Sequence, residues 1–423
     1  MSTLRIANGR LIDPVSGLDE TGDLLITDGR IAKIGTDLSH EPYDALIQAD
    51  GLVVAPGLVD IHVHFRDPGF TYKEDIRTGA AAAAAGGFTT VITMANTKPP
   101  VDSPELVQYV LEEGKKTSIR VLPTATITKG MLGKELTDMQ ALAQAGAVGF
   151  TDDGVPICDE ALVIEAMKQA TALHVPLSFH EEDPLFIQNP GVHHGKVSKQ
   201  LGLEGAYAAA EYVLSARDAM LALTTGASVN IQHISSKEAV SIVAQAKALG
   251  ADVHAEATPH HFSLTEDAVL EHGTLAKMNP PLRTEVDRQA IIAGLADNTI
   301  EYIATDHAPH SKEEKEREFT KAPSGIIGLE TSLPLGITNL VRPGHLTLAQ
   351  LLRKMSYNPL QLYHLDGGTL EPGTRADLVL FDPEEIQTFT SYASKASNSP
   401  FTGQPLYGKV HYTICEGKVV YQA

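Results

Sequence analysis

The sequence predicts an α/β protein: a (β/α)8 TIM-like barrel with a small β-sandwich domain formed from both chain termini. Through the middle of the chain, eight apolar strand-like runs alternate with Ala- and Leu-rich helical stretches, and eight parallel strands close such a barrel. Both chain ends instead carry short strand-like segments separated by turn pairs such as Asn8-Gly9 and Glu416-Gly417. We therefore expect a small β-sandwich domain from residues 1–55 plus 369–423 and the (β/α)8 barrel from residues 56–368.

The barrel strands are expected at residues 59–65, 89–94, 120–126, 148–151, 176–179, 228–234, 252–257 and 300–305. Helices are expected between them, at residues 76–85, 103–114, 159–173, 203–224, 237–249 and 286–296. An open, doubly wound sheet is the alternative. It is disfavoured because the phosphate-binding glycine pattern does not follow the first strand.

Composition narrows the class of protein. The 423 residues include 33 basic and 53 acidic side chains, and the net charge of -20 argues against nucleic acid or an anionic membrane as a partner. The two cysteines, Cys158 and Cys415, form neither a disulfide framework nor a Cys-rich zinc site. We expect a soluble, cytoplasmic protein, since the amino end lacks a signal-peptide pattern and no run is apolar enough to span a bilayer.

The first barrel strand carries His62 and His64 at positions i and i+2. Both imidazoles therefore project from one side at the carboxyl end of the strand, and neutral imidazole is the commonest protein ligand for zinc-like ions. An isolated His-x-His pair equally suits two core histidines on one strand face. The other strand ends decide between these two interpretations.

Catalytic groups of a barrel enzyme lie at the carboxyl ends of its strands, and polar residues recur at those positions here. Each alone could be a core histidine or a helix N-cap, but packing does not explain the coincidence across so many strands. Beyond the first strand, the residues concerned are Asn96, Asp152, Asp153, His180, Gln232, His233, His260, His261, Asp306, His307 and His310.

These residues suit a two-metal centre. His62 and His64 with Asp306 would hold one ion, because the first and last strands are neighbours in a closed barrel. His180 and His233, on adjacent strands five and six, would hold a second ion.

Asp153, after strand four, could bridge the two ions. Zinc suits this nitrogen and oxygen set best, although Mn, Co and Fe also fit it and the same ligands accept one ion or two. Paired metals polarise a carbonyl and generate hydroxide near neutral pH, and Asp306 could carry the proton from water to a leaving nitrogen. The predicted reaction is hydrolysis of an amide-like bond.

Five motifs together resemble dihydroorotase, of the longer bacterial type within the amidohydrolase superfamily. They are residues 60–69 (DIHVHFRDPG), 94–97 (MANT), 150–154 (FTDDG), 279–283 (NPPLR) and 304–310 (ATDHAPH). The resemblance covers essentially the whole chain and implies reversible closure of N-carbamoyl-L-aspartate to L-dihydroorotate in de novo pyrimidine synthesis. Many relatives bridge their metals with a carboxylated lysine, whereas strand four here ends without lysine, so the resemblance assigns the bridge to Asp153 and leaves Asp152 as a supporting or helix-capping group.

The resemblance also implies the site residues. The metal ligands would be His62, His64, Asp153, His180, His233 and Asp306, and the substrate contacts would be His64, Arg66, Asn96, Asn279, His310, Ser324 and Gly325. Arg66 suits the substrate carboxylate because a guanidinium grips a carboxylate at two points. Relatives often carry Phe at position 324, and the charge-rich stretch from residue 311 could form either a solvated helix face or part of a lid.

Two other functions compete with this one. A hydantoinase, dihydropyrimidinase or allantoinase would share barrel and metals, but such relatives usually keep the bridging lysine and their substrates need no Arg66. A catalytically silent partner of aspartate carbamoyltransferase would be expected to have lost ligands, and all six are present. The resemblance is also compatible with a homodimer and with an active enzyme bound to the carbamoyltransferase.

Overall fold

The structure is a computed structural model that describes residues 3–423; Met1 and Ser2, at the start of the predicted small domain, lie outside the described residues. The strands are β1 (Thr3–Ile12), β2 (Asp19–Thr27), β3 (Arg30–Gly35), β4 (Ala45–Gln48), β5 (Val53–Pro56), β6 (Leu58–Val63), β7 (Phe88–Thr93), β8 (Arg120–Pro123), β9 (Leu177–Phe179), β10 (Val229–Ile231), β11 (Val253–Ala257), β12 (Tyr302–Ile303), β13 (Leu378–Thr388), β14 (Pro405–Cys415) and β15 (Lys418–Gln422).

The α-helices are α1 (Ile76–Ala85), α2 (Pro104–Gly114), α3 (Met139–Ala145), α4 (Glu160–Leu173), α5 (Lys196–Gln200), α6 (Ala209–Thr225), α7 (Lys237–Ala248), α8 (Pro259–Ser263), α9 (Ala268–His272), α10 (Glu285–Ala296), α11 (Lys312–Lys315), α12 (Ser332–Gly336), α13 (Leu348–Met355) and α14 (Tyr357–Leu362). Single 3-10 turns occur at Lys129–Met131, Pro184–Phe186, Gly273–Ala276 and Leu329–Thr331, and a π-helical turn occurs at Ile337–Val341. Within residues 3–423, no helix combines the length and the apolar character that crossing a membrane requires.

The middle of the chain forms the predicted parallel barrel. Strands β6 to β8 make one parallel sheet and β9 to β12 another. Phe150 joins the two sheets, because it bridges Ala125 on one side and Leu177 on the other, and a parallel bridge between Val63 and His307 connects the last strand to the first. This closure excludes the open doubly wound alternative.

The fourth strand is shorter than the sequence predicts. Residues 148–151 form no regular strand, yet they hydrogen-bond to both neighbouring strands: Phe150 N donates to Pro176 O at 3.2 Å, and Thr151 N donates to Ala125 O at 2.9 Å. The chain turns immediately after Thr151. There the side chain of Asp152 accepts hydrogen bonds from the backbone N–H groups of Ile127 and Thr128, and the strand ends. Strand four is therefore reduced to the bridging residue Phe150.

The barrel strands are apolar because both of their faces are covered. Every residue of β6 and of β7 is buried, as expected for parallel strands covered by helices. Helix α1 begins at a capping box in which Asp75 and Thr78 bond each other's backbone. Gly79 lets this helix lie directly on Phe65, since a Cβ there would stand 2.3 Å from the ring. The helix thereby supports the segment that carries His64.

The two chain ends share one sheet. It has eight strands in the order β15-β14-β13-β5-β1-β2-β3, with β4 paired to β1. β13 pairs antiparallel with β5 and thus joins the carboxyl-terminal segment to the amino-terminal one. The sheet has its own apolar cluster, which includes Leu24, Val54 and Leu380.

Candidate metal centre and substrate cleft

The carboxyl ends of the barrel strands open into a cavity of about 540 Å³. His62 is fully buried beneath its floor. The other predicted site residues line it directly: His64, Arg66, Asn96, Asp153, His180, His233, Asn279, Asp306, His310, Ser324 and Gly325. The structure therefore brings together the residues that the resemblance assigned to the metal and substrate sites. Other polar residues expected at strand ends do not line the cavity: Asp152, Gln232, His260, His261 and His307.

The first predicted ligand group converges on two carboxylates. His62 Nε2 lies 3.4 Å from Asp153 Oδ1 and 3.6 Å from Asp306 Oδ1. His64 Nε2 lies 2.9 Å from Asp306 Oδ1 and 3.5 Å from Asp153 Oδ2. Two imidazole nitrogens and two carboxylates thus face a common point.

The second ligand group lies on the other side of Asp153. His180 Nδ1 and His233 Nε2 are 2.9 Å apart, and they lie 3.6 Å and 3.9 Å from Asp153 Oδ1. The carboxylate of Asp153 therefore stands between both histidine pairs. Burial alone would raise the pKa of Asp153, but the charge of His62 and the close approach of His180 hold it well below its usual value.

The donor set fits a metal ion. His62, His64 and Asp153 form one potential chelating group, and Asp153, His180 and His233 form another, each with its donor atoms within 4.8 Å of one another. His62 Nε2 is buried and, within the described part of the chain, has no hydrogen-bond partner. A buried nitrogen without a partner is costly, and a metal ion at this point would satisfy it.

Asp152 lies outside the donor set. Its Oδ1 accepts hydrogen bonds from Ile127 N at 2.8 Å and Thr128 N at 3.1 Å, and its Oδ2 accepts from the Thr128 hydroxyl. Burial raises the pKa of this carboxyl to about 6 despite these donors. Of the two adjacent aspartates, therefore, only Asp153 faces the histidines.

Three site residues have left-handed backbone conformations. Arg66, His233 and Asp306 have φ of 60°, 32° and 48°, values that residues other than glycine rarely adopt. Such conformations cost about 1–3 kcal/mol each and tend to occur where function requires an exact side-chain direction. All three follow barrel strands closely and aim their side chains into the cavity.

Arg66 and His310 form a polar wall beside the metal ligands. Arg66 Nη2 lies 3.4 Å from His310 Nε2, and Lys73 Nζ donates to His310 Nδ1 at 3.3 Å. His310 Nε2 in turn donates to Ser324 O at 2.8 Å. Burial, and then the charge of Arg66, lower the pKa of His310 far below its usual value, so its imidazole is neutral. The wall therefore presents the guanidinium as its main positive charge.

Asn96 and Asn279 occupy different parts of the cleft. Asn96 links the ligands, since its Nδ2 donates to Asp153 Oδ2 at 2.8 Å and its Oδ1 accepts from His64 Nδ1 at 2.9 Å. Asn279 Oδ1 is buried at the cavity and has no hydrogen-bond partner within residues 3–423. It is available to accept a hydrogen bond from a bound molecule.

Comparison with known proteins places this arrangement in a family. A protein-family profile described as Dihydro-orotase-like matches residues 51–239. Proteins named Dihydroorotase from Clostridioides difficile strain 630 and from Clostridium acetobutylicum are 63% and 54% identical to the chain over 418 and 419 residues, which is 99% of the chain and 99% of each relative. The chain belongs to the dihydroorotase family.

Solved structures with the same fold carry related names. The L-hydantoinase (dihydropyrimidinase) of Arthrobacter aurescens superimposes with a TM-score of 0.89 at 27% identity, covering 100% of this dihydroorotase-family chain and 96% of the other. The D-hydantoinase (dihydropyrimidinase) of a Thermus species gives 0.85 at 26% identity, covering 99% and 95%. The predicted α/β barrel of the amidohydrolase type is thereby confirmed.

Two further residues of this dihydroorotase-family chain contact the ligands or the cleft and were not predicted from the sequence. Glu256 Oε1 accepts a 2.5 Å hydrogen bond from His62 Nδ1 and a 3.2 Å bond from His233 N. Asn398 belongs to the carboxyl-terminal segment, yet its Nδ2 donates to Gly325 O at 3.1 Å beside the cavity. A glutamate inside an apolar strand could have revealed Glu256, whereas no local pattern marks Asn398.

Proposed function

We propose that the chain interconverts N-carbamoyl-L-aspartate and L-dihydroorotate in pyrimidine synthesis, releasing one water molecule in the direction of ring closure. The supporting observation is that two histidine pairs, two carboxylates and a guanidinium meet in one cleft. The relatives named Dihydroorotase, at 51–63% identity over nearly the whole chain, support the same reaction.

We infer that the cofactor is zinc, with two ions on either side of Asp153. The residues that would hold them are His62, His64, Asp153, His180, His233 and Asp306. When bound, zinc polarises a carbonyl and lowers the pKa of bound water. Support comes from the nitrogen and oxygen donor set, which zinc prefers, and from the unsatisfied His62 Nε2.

Asp306 is the proposed general acid and base. Its Oδ1 lies 2.9 Å from His64 Nε2 and 3.6 Å from His62 Nε2, at the edge of the cavity. In the hydrolytic direction it accepts a proton from the attacking water and returns it to the departing ring nitrogen. In ring closure it removes a proton from the carbamoyl nitrogen and returns it to the departing oxygen. A second proton, taken up from solvent, completes the water molecule because the free carboxylate is ionised at neutral pH, and hydrolysis releases that proton again.

The remaining predicted residues bind the substrate. Arg66 grips the substrate carboxylate, with Asn96 and His310 beside it, because a guanidinium binds both carboxylate oxygens. Asn279 and the backbone at Ser324 and Gly325 form hydrogen bonds with the N–H and C=O groups of the substrate ring. His64 faces both the metal centre and the substrate.

We also infer that residues 1–55 and 369–423 fold as the predicted β-sandwich domain. Support comes from the eight-stranded sheet that both termini build and from its separate apolar cluster. The segment around Asn398 is an exception to this division, because it reaches the barrel cleft.

The test is hydrolysis of L-dihydroorotate by the purified chain, measured together with its metal content. Dihydrouracil is the comparison substrate because it has the same ring without the carboxylate. Turnover of L-dihydroorotate only, with bound zinc, supports the proposal. Preferential turnover of dihydrouracil would favour a dihydropyrimidinase, and no turnover of either by the metal-loaded chain would contradict the proposed activity.

A further inference from the structure

Residues 319–325 form an irregular segment over the cleft, and we call it the 319–325 loop. Five of its residues line the cavity: Thr320, Ala322, Pro323, Ser324 and Gly325. The loop therefore forms one side of the substrate site. It contains no regular helix or strand that could fix its backbone, so other contacts must hold it.

Lys277 holds the first half of this loop. The residue is 2% exposed, and its Nζ donates to Phe319 O at 2.7 Å and to Ala322 O at 2.6 Å. Its own carbonyl accepts a hydrogen bond from Gly325 N at 2.8 Å. One lysine thus contacts the loop at both ends.

Lys315 holds the second half. It is 5% exposed, and its Nζ donates to Pro323 O at 2.9 Å and to Gly325 O at 3.0 Å. These two carbonyls flank Ser324. Together the two ammonium groups bind four carbonyl oxygens within seven consecutive residues.

Neither ammonium group forms an ion pair with a carboxylate among residues 3–423, and their hydrogen-bond acceptors there are the four loop carbonyls. Fully buried lysines are rare, and a buried charge without a counter-ion is costly. Burial lowers the pKa of both groups, that of Lys315 to about 7. Lys354 is also buried and bound only to neutral oxygens, but at the far end of β12. It is therefore the contact of Lys277 and Lys315 with the cleft loop, and not their burial alone, that points to a function there.

The surroundings of Lys277 fit the same role. Gly191 has φ of 80°, and a Cβ there would lie 2.4 Å from Lys277 Cγ and 2.9 Å from Ser324 Oγ. Because Gly191 has no side chain, Lys277 and Ser324 can pack directly against the backbone around Gly191. Lys277 therefore lies between two loops that both border the cleft.

Building on the proposed function, we propose that Lys277 and Lys315 are positioning residues whose ammonium groups hold the 319–325 loop against bound substrate. They act through the backbone at Ser324 and Gly325 rather than by touching the reacting atoms. The expected consequence is a loss of substrate binding when either ammonium group is removed, with the metal centre left intact.

The test compares Lys277→Met and Lys315→Met with the control Lys354→Met. Lys354 is also buried, 3% exposed, and its Nζ donates to Ile300 O at 2.7 Å, at the opposite end of strand β12 from the cleft. We expect KM for L-dihydroorotate to rise about tenfold in the first two variants, because each loses charge-assisted hydrogen bonds. Zinc content should stay constant, and Lys354→Met should keep the KM of the unaltered chain.

Two conservative variants and a second measurement complete the design. Lys277→Arg and Lys315→Arg keep the charge and should restore part of the lost affinity. Trypsin cleavage after Lys321, followed by mass spectrometry, should be faster in both methionine variants than in Lys354→Met. This rate does not depend on turnover, so it tests the loop even where the unaltered chain proves inactive on L-dihydroorotate and the proposed function fails.

The proposal is overturned by any of three results. The first is a KM within twofold of the unaltered chain in both methionine variants. The second is an equal rise in Lys354→Met. The third is failure of both methionine variants to fold while Lys354→Met folds, since the lysines would then serve the fold rather than the loop.

Discussion

Replacing Glu256 by Gln should weaken metal binding without disturbing the fold. The carboxylate is fully buried and accepts hydrogen bonds from His62 Nδ1 at 2.5 Å, from His233 N at 3.2 Å and from Asn230 Nδ2 at 3.0 Å. A carboxamide oxygen can accept the first two bonds unchanged. Its nitrogen would face Asn230, whose own Oδ1 is free of partners within residues 3–423, so a flip of the Asn230 amide restores the third.

What the substitution removes is charge. A hydrogen bond to an ionised acceptor is roughly twice as strong as a neutral one, so the contact with His62 should lose about 1.5 kcal/mol. That carboxylate also orients the imidazole and raises its basicity toward a metal. The loss corresponds to about a tenfold lower metal affinity, at the lower end of the 10–100-fold range usual for such supporting residues.

The assay is competition for zinc against a chelator of known affinity, with thermal unfolding of the metal-free protein measured in parallel. Glu211→Gln is the control, because Glu211 is equally buried and accepts hydrogen bonds from Ser235 N at 2.6 Å, Ser235 Oγ at 2.7 Å and Arg283 Nη2 at 3.3 Å, none of which belongs to a proposed metal ligand. A zinc affinity in Glu256→Gln within twofold of the unaltered chain, or an equal loss in Glu211→Gln, would refute the reasoning.

Three further changes test the site and the fold. Asp306→Asn should lower kcat by at least about a hundredfold, since a general acid and base contributes about 10²–10⁴; near-normal turnover would remove Asp306 from the mechanism. Arg66→Lys should raise KM for L-dihydroorotate about tenfold with little change in kcat, and an unchanged KM would place the carboxylate elsewhere. Burial raises the pKa of Glu330 to about 7, so the folded protein favours the protonated carboxyl. This preference adds at most about 3 kcal/mol to the free energy of unfolding; the contribution is complete below pH 4.5 and is lost as the pH rises to 7. Glu330→Gln should reduce this pH dependence in denaturant titrations at pH 5 and pH 8, and an identical dependence in both proteins would contradict the assignment.

The sequence predicted the strand ends well for a physical reason. Parallel strands buried on both faces are continuous apolar runs, so a polar residue at their carboxyl end stands out, as His62, His180 and Asp306 do. The barrel topology then predicted which ligands share an ion, since β6 and the segment after β12 are neighbours in a closed barrel. Sequence spacing did not choose between Asp152 and Asp153, because the direction of each side chain depends on the turn that follows Phe150.

Residues that support the site through space were not predictable in the same way. Asn398 lies 88 positions from His310, yet its Oδ1 accepts a hydrogen bond from His310 N at 3.1 Å, and no periodicity connects such distant segments. Lys315 stands in a polar stretch and Lys277 between apolar residues, and in both places exposure is the ordinary expectation for lysine. Their burial follows from the path of the 319–325 loop, which only the folded structure defines.

The site therefore divides into two parts with different structural origins. The proposed metal ligands sit on or directly after barrel strands, whose packing fixes them, and the fold that provides them is shared with hydantoinases at only 26–27% identity. In the proposed mechanism, substrate choice would instead rest on Arg66 and on the 319–325 loop, which a common fold does not determine. It follows that changes at Glu256 should alter metal affinity with little effect on KM in the fully loaded protein, whereas changes at Lys315 should do the opposite. A loss of metal affinity in the Glu256 variant and a rise of KM in the Lys315 variant would show that the barrel determines metal binding and the loop determines substrate binding.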